Sequence, residues 1–147
     1  VMVSGLVVEL LHNTMRCCSG GVTACESNLV AKCNKVEDIT FAAFNLFNGR
    51  ANLQENQINR CASALIGRSG ASRLGDSAEL QLRSNLLQDC EIGLKLASAA
   101  GVPLKLELTQ DCLTKHGNGV IVQGKCQMTM TDCLISQCKR IGLHALR

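Results

Sequence analysis

The chain has 147 residues, a length typical of one domain, and its composition argues against nucleic-acid binding. Its formal net charge is +3 without a basic run, and it contains three Phe but neither Trp nor Tyr. Proteins that bind nucleic acids normally cluster Lys and Arg and stack bases on aromatic side chains. We therefore expect no nucleic-acid partner.

The first eleven residues, "VMVSGLVVELL", are mostly apolar but do not predict a membrane span. They include Glu9 and are far fewer than the roughly 20 residues that a spanning helix needs. No basic region precedes them, as a signal peptide would require. We expect no membrane partner and assign this segment to the first structural repeat.

A repeated phrase follows this segment and returns along the whole chain. It places an Asn, an apolar residue, a Cys and a small residue in fixed order, as in "HNTMRCCSGGV" from His12 and "SNLLQDCEIGL" from Ser84. Its anchor residues are Asn13, Asn34, Asn56, Asn85 and Asp111, with Cys133 as a weaker sixth. The anchors are 21, 22, 29, 26 and 22 residues apart. Such a period is typical of a solenoid, whose repeats pack on their neighbours.

Positions at fixed distances from the anchor predict strands. The third residue before each anchor is always apolar: Leu10, Ala31, Leu53, Leu82, Leu108 and Met130. The residue before that one is polar in every repeat except at Val30. This alternation has the period of a strand, and a second strand start follows eight or nine residues after the anchor. Each repeat therefore has at least two strands and a turn.

Strands stacked on their own copies form a parallel β-helix, with about 4.8 Å between equivalent residues. We predict one all-β solenoid domain over residues 1–147, with about six coils and a period of about 22 residues. The anchors Asn13, Asn34, Asn56, Asn85 and Asp111 are predicted to form a structural ladder. Asn tolerates the left-handed backbone conformation of tight turns, and stacked amides can hydrogen-bond along the axis.

The two longest gaps between anchors contain turn-rich segments. We predict insertion loops at residues 67–76, "GRSGASRLGD", and 97–103, "ASAAGVP". Loops on a rigid scaffold often carry binding contacts, so these two are the first candidates for a partner surface.

Ten cysteines, an even number, would ordinarily indicate the disulfide framework of a secreted protein. Four of them share the column five residues after the anchor: Cys18, Cys61, Cys90 and Cys138. Ile39 occupies the same column, which favours a structural role as small buried hydrophobes with free thiols in a reducing compartment. No C-x-x-C pair is present, so we expect no zinc and no cofactor.

The columns near the anchor do not indicate an active site. His116, the remaining member of the Cys column, is interpreted as a corner residue hydrogen-bonded to backbone and not as a metal ligand or base. In the column four residues after the anchor, Asp38, Arg60 and Asp89 alternate in sign, which is typical of weak surface ion pairs. No two carboxylates are adjacent in the three columns that flank the anchor turn. We predict no catalytic residues and expect no small-molecule substrate.

The phrase "N-x-[apolar]-x-x-C-x-x-G-[apolar]", in about six copies, resembles the right-handed parallel β-helix superfamily typified by pectate lyases. It is most similar to the short carbohydrate-binding and sugar-hydrolysis repeats. The resemblance implies a right-handed coil. Many members act on acidic polysaccharides with carboxylates from adjacent coils, whereas intracellular non-enzymatic members recognise substrates for F-box ubiquitin ligases or form cytoskeletal and ciliary scaffolds.

We expect a non-catalytic, cytoplasmic β-helix scaffold, of the cytoskeletal or ciliary kind, with protein partners in a larger complex. The alternatives are a carbohydrate-active lyase, hydrolase or epimerase of the same superfamily, or a β-helix that recognises substrates for a ubiquitin ligase. The repeats show no capping helix, and open solenoid ends invite edge association. We therefore expect a fragment of a longer chain, the alternative being a small domain capped by irregular loops.

Overall fold

The computed structural model describes residues 1–5, 7–70, 78–99 and 102–146. These ranges contain no helix, and their strands pair in parallel. The strands are β1 (Met2–Ser4), β2 (Val7–Leu11), β3 (Thr14–Arg16), β4 (Val22–Lys32), β5 (Lys35–Glu37), β6 (Ala42–Gln54), β7 (Gln57–Asn59), β8 (Ser63–Ser69), β9 (Ala78–Arg83), β10 (Leu86–Gln88), β11 (Ile92–Ser98), β12 (Leu104–Thr109), β13 (Cys112–Thr114), β14 (Asn118–Gln123), β15 (Cys126–Thr131), β16 (Leu134–Ser136) and β17 (Ile141–Leu146).

The strands form three rows, which we call walls A, B and C. Wall A consists of β2, the second halves of β4 and β6, β9, β12 and β15. Wall B consists of the three-residue strands β3, β5, β7, β10, β13 and β16. Wall C consists of β1, the first halves of β4 and β6, β8, β11, β14 and β17. The long strands β4 and β6 run from wall C into wall A and join these two walls into one sheet.

Every coil passes through walls A, B and C in that order and then begins the next turn. Equivalent residues of successive coils are hydrogen-bonded across 21, 22, 29, 26 and 22 residues of chain. The prediction of an all-β parallel solenoid of about six coils, with strands about 22 residues apart, is confirmed.

The core fills the space between the walls with aliphatic side chains. In β12 the burial alternates strictly, so that Leu104, Leu106 and Leu108 are at most 1% exposed while Lys105 and Glu107 face outward. The same columns continue through the neighbouring coils, for example from Leu106 to Leu80. Each leucine buried in this way stabilises the fold by about 1.5–3 kcal/mol. The alternating pattern of the strands therefore supplies the stability of the core.

Two corners of each coil are made by residues with positive φ. The first set precedes the anchors and is exposed: His12, Cys33, Glu55, Ser84, Gln110 and Asp132. The second set lies four residues after the anchors: Cys17, Asp38, Arg60, Asp89, Lys115 and Gln137. The prediction that the anchor Asn itself adopts the left-handed conformation is wrong. The exposed preceding residue makes the turn, which leaves the anchor side chain free to point along the ladder.

The predicted insertion boundaries need correction. Strand β8 continues through Ser69 and β11 through Ser98, and these two residues are partners in wall C. The parallel ladder therefore includes residues 67–69 and 97–98, because their backbone groups pair between coils despite their turn-prone sequence. Residues 71–76 and 100–101 of the predicted loops lie outside the described residues.

Candidate functional site

The two insertions leave the solenoid at the same corner, between walls C and A, which we call the insertion corner. Its members are the chain from β8 to β9 and the chain from β11 to β12. Two hydrogen bonds join them: Ala99 N donates to Ser69 O at 2.7 Å, and Ser69 Oγ donates to Val102 O at 2.8 Å. Within the second insertion, Ser98 Oγ donates to the same Val102 O at 2.7 Å. The stems of the two insertions therefore lie side by side.

The base of the insertion corner is packed against the coil beneath it. Gly70 N donates to Asn48 Oδ1 at 2.9 Å. A Cβ at Gly70 would lie 3.3 Å from Cζ of Phe47, whose ring is 39% exposed. The buried Asn48 Nδ2 has no hydrogen-bond partner among the described residues. The corner thus combines an exposed aromatic ring with a rigid, hydrogen-bonded stem.

A groove of about 320 Å³ lies on the outer surface of wall A, in the coils next to the insertion corner. Its outward-facing lining is polar and charged except for Val30: Asn28, Val30, Arg50, Asn52, Glu79 and Gln81. Glu79 Oε2 is 3.3 Å from Arg50 Nε, and its Oε1 is 3.8 Å from Lys105 Nζ. The groove therefore offers amides and an alternating row of charges at the strand spacing.

The sequence did not single out the groove, although a signal for it is present. Residues six positions before the anchors form the charged row, and residues four before them form the amide row. The residues four before the anchors belong to the alternating strand pattern, whereas those six before them carry no repeated signal. Alternation predicts that both rows face outward, but it does not predict that they line a groove.

A second charged cluster lies on wall B. Arg60 binds Asp38 through two hydrogen bonds of 2.7 and 2.9 Å, and Glu37 contacts Arg16 at 2.8 Å and Lys35 at 3.2 Å. The hydrogen bonds from Arg60 lower the pKa of Asp38, and those same bonds raise the pKa of Arg60. These pairs link three successive coils across a solvent-exposed surface, where each contributes little to stability.

The anchor residues form one continuous row of hydrogen bonds through the solenoid. The backbone N and the Nδ2 of each Asn both donate to Oδ1 of the next anchor, at 2.8–3.1 Å. Nδ2 also reaches back to a carbonyl of the preceding coil, as from Asn56 to Ala31 O at 2.8 Å. Asn34, Asn56, Asn85 and Asp111 are at most 2% exposed, so this row serves the fold and presents no surface.

Asp111 terminates the row with a carboxylate. Its Oδ1 accepts from Asn85 N and Asn85 Nδ2, and its Oδ2 accepts from Thr109 N at 3.0 Å. Burial nevertheless raises the pKa of Asp111, and the hydrogen bonds from Asn85 oppose that rise. The carboxylate fits the ladder as an acceptor, at a cost in desolvation.

The cysteine column is buried only in its middle. Cys61 and Cys90 are 4% and 2% exposed, Cys138 is half-buried, and Cys18 is exposed in the first coil. Cys61 and Cys90 are neighbours in the column, and their thiols donate to Asn59 O and Gln88 O at 3.3 Å. The nearby Cys61 thiol and burial both raise the pKa of Cys90. The same contact with Cys90 lowers the pKa of Cys61. All ten cysteines have free thiols in this structure. A neutral, buried thiol is a poor nucleophile, so Cys90 acts as packing.

His116 occupies the next position of the same column and is fully buried. Cys90 N donates to its Nδ1 at 3.2 Å, a contact with backbone of the kind expected for a corner residue. Its Nε2 has no partner among the described residues. Burial lowers the pKa of His116, which keeps the ring neutral and favours a packing role.

Groups of three or more His, Cys, Asp or Glu side chains arranged to hold a metal ion are not found in the described ranges. The same ranges contain no helix long and apolar enough to cross a membrane. No family model, curated protein or solved structure matches this chain significantly.

Proposed function

We propose that the protein is a non-catalytic β-helix scaffold that binds a protein partner at the insertion corner and the adjacent groove. The observation that carries this proposal is the juxtaposition of the two insertions. Their described stems leave neighbouring coils, share the hydrogen bonds of Ser69, Ala99 and Val102, and stand beside the groove. The two stems and the groove together form one composite surface.

The solenoid gives this surface a rigid base. The stems continue directly from β8 and β11, whose side chains at Leu65 and Leu94 are fully buried. A surface that is already ordered loses little conformational entropy on binding, so more of the contact energy appears as affinity. Rigid presentation of loops is what a scaffold requires and supports this function.

The groove chemistry favours a polar, extended partner segment. Arg50, Glu79 and Lys105 present alternating charges on successive coils, and Asn52 and Gln81 present amides beside them. Each ion pair is exposed and weak, so a partner can replace it with charges of its own. Specificity would come from matching the order of the charges.

The proposal extends to the family and the location. The repeated phrase and the parallel solenoid support membership of the right-handed, pectate-lyase-like superfamily, on the side of its intracellular, non-enzymatic members. We place the protein in the cytoplasm, within a larger cytoskeletal or ciliary assembly. Ten free thiols agree with a reducing compartment.

A carbohydrate-active enzyme is the second candidate, and the amides of the groove favour it. Asn52 and Gln81 could hydrogen-bond sugar hydroxyls. Glu79, the carboxylate that lines the groove, is engaged by Arg50 and Lys105. A general acid or base would need a carboxylate that is free to exchange protons, so this arrangement supports the scaffold better.

Site-specific photo-crosslinking tests the proposal in native extract. A photoreactive residue replaces Arg68, which is exposed on β8 near the insertion corner, and a matched control replaces the exposed Leu86 on wall B. We expect Arg68 to capture one recurrent protein that Leu86 does not capture. The variant Arg50→Glu, which places two acids together in the groove, should weaken that capture while circular dichroism remains unchanged.

Two outcomes would reject the scaffold. Equal capture from Arg68 and Leu86 would show that the insertion corner has no special role. Specific retention on an acidic-polysaccharide column, abolished by Arg50→Glu and without any protein crosslink, would favour the carbohydrate-active alternative.

A further inference from the structure

One column of exposed side chains runs along the corner between walls A and B, directly before the anchor residues. All its members have positive φ: His12, Cys33, Glu55, Ser84, Gln110 and Asp132. The first three are consecutive and belong to the residue types that bind zinc and related transition metals. The column contains neither Lys nor Arg, so its own members place no cation beside these donors.

The backbone holds these three residues one above another. His12 N donates to Lys32 O and Cys33 N donates to Gln54 O, both at 3.0 Å. Each bond joins one member of the column to the carbonyl that precedes the next member, so successive members are about 4.8 Å apart. Their φ angles of 56°, 54° and 54° are nearly equal, so the three side chains leave the turn in the same direction.

Cys33 and Glu55 lie at the separation expected of two ligands on one metal ion. Cys33 Sγ donates to Glu55 Oε2 at 3.6 Å. Tetrahedral zinc, with a bond of about 2.3 Å to sulfur and about 2.0 Å to a carboxylate oxygen, places these two ligand atoms about 3.5 Å apart. Zinc can therefore replace the thiol proton with little movement of either side chain, and that proton passes to solvent.

Gln54 fixes the orientation of the Glu55 carboxylate. Gln54 Nε2 donates to Glu55 Oε1 at 3.0 Å, while the other oxygen, Oε2, faces the Cys33 thiol. Hydrogen bonds of this kind orient metal ligands and are typically worth 10–100-fold in metal affinity. The column thus contains a pair of ligands and a neighbour that positions one of them.

His12 is the third donor of the column. In this structure the side chains of His12, Cys33 and Glu55 are not gathered around one point, so metal binding requires a side-chain rotation. His12 is exposed and lies one coil from Cys33. Its ring can therefore turn to another rotamer, toward the thiol, without displacing packed side chains.

We propose that His12, Cys33 and Glu55 form a zinc site that joins three successive coils, with water as the fourth ligand. Zinc is bound by Cys, His and carboxylate groups, and three such protein ligands leave one position open. The ligands are 21 and 22 residues apart, so a search for C-x-x-C pairs does not detect them. The site lies at the opposite edge of wall A from the insertion corner and is independent of the proposed partner surface.

Isothermal titration calorimetry with zinc chloride tests the site in the fully reduced 147-residue chain. We expect one zinc ion to bind with higher affinity than any other, and Cys33→Ser to abolish that binding. The matched control is Cys17→Ser, which removes another exposed thiol at a residue with positive φ. In its column Asp38 is held by Arg60, so the control should bind zinc as the parent does. Equal affinity of the two variants, or no binding by the parent, would overturn the proposal.

His12→Ala tests whether the site extends over three coils. Zinc that binds the folded chain raises its temperature of unfolding. We expect His12→Ala to weaken zinc binding strongly and to remove this rise, whereas His144→Ala, on β17 and away from the column, should leave both unchanged. An unchanged zinc affinity of His12→Ala would reject His12 as a ligand and with it the three-coil site.

Cobalt(II) in place of zinc identifies the ligands by absorption, because thiolate ligation and tetrahedral geometry give characteristic bands. Gln54→Ala should lower the metal affinity about 10–100-fold while the thiolate band is retained, since the ligands are unchanged. Cys33→Ser should lose the band. A band that survives in Cys33→Ser would place the metal on another thiol, and an unchanged affinity of Gln54→Ala would contradict the orienting role of Gln54.

Discussion

At the anchor corner, between walls A and B, nearly every coil turns with the same residues, whereas at the insertion corner the length of the chain changes from coil to coil. The anchor corner contains the hydrogen-bonded row of Asn side chains, buried at 0% exposure at Asn56. The insertion corner contains stems held by backbone and Ser hydroxyl contacts. Within one coil, the anchor corner therefore stabilises the fold, and the insertion corner accommodates changes in chain length.

The largest expected effect comes from the column next to the anchor corner. Leu87 is 1% exposed and its neighbour Leu86 is 37% exposed, although both lie in β10. Leu87→Asp places a carboxylate in the core and should unfold the chain, because an unpaired buried charge costs several kcal/mol. Leu86→Asp should remain folded. Urea unfolding followed by circular dichroism separates them, and a cooperative Leu87→Asp variant would contradict the column assignment.

Inserting residues compares the two corners directly. A Gly-Ser insertion after Glu55 shifts Asn56 out of the ladder and should destabilise the fold severely. The same insertion after Ala99 lengthens an existing insertion and should cost less than about 1 kcal/mol, because loop entropy grows slowly with length. Thermal unfolding of both proteins is the measurement. Equal losses would show that the insertion corner is as constrained as the anchor corner.

Truncating the ladder should have an intermediate effect. Asn56 accepts two hydrogen bonds from Asn34 and donates two to Asn85. Asn56→Ala leaves buried donors without partners, so we expect a loss of about 2–3 kcal/mol in the free energy of unfolding. Asn13→Ala, in the exposed first coil, should lose less than half as much. A larger loss at Asn13 would mean that burial does not determine the strength of the ladder.

The smallest effect is a pH dependence at the end of the ladder. Burial raises the pKa of Asp111, so the folded chain binds this proton more tightly than the unfolded chain. The stability that this group contributes is complete below its unfolded pKa of about 3.9 and is lost as the pH rises through the higher folded value. Asp111→Asn should therefore be more stable than the parent at neutral pH, with a difference that shrinks on acidification. A constant difference would exclude titration of Asp111.

The core could be predicted from the sequence because its apolar residues repeat at fixed distances from the anchors. Columns such as Leu82 and Leu108 repeat at fixed distances from the anchors, and alternation alone assigns them to the inside of a strand. The positive φ values of Glu55 and Arg60 cannot be predicted from alternation. Any exposed residue tolerates this conformation at a cost of about 1 kcal/mol, so no residue type marks these positions.

The candidate site was less predictable than the core. The insertions were located from gap lengths, but Ser69 and Ser98 extend the strands because backbone pairing overrides the turn preference of their neighbours. The groove around Arg50 and Glu79 is lined by outward side chains of three successive coils. Outward columns vary freely from coil to coil, so no repeated signal marks them.

The chain length of each coil also determines how the protein unfolds under mechanical load. Equivalent residues are separated by 21–29 residues, and each coil packs only on its neighbours. A force applied at one terminus would strip the outermost coil while the remaining coils stay intact. Each step would release roughly 70–100 Å of extended chain. The coil that carries the longer insertion would give the longest step, so a stretching record would display the order of the repeats.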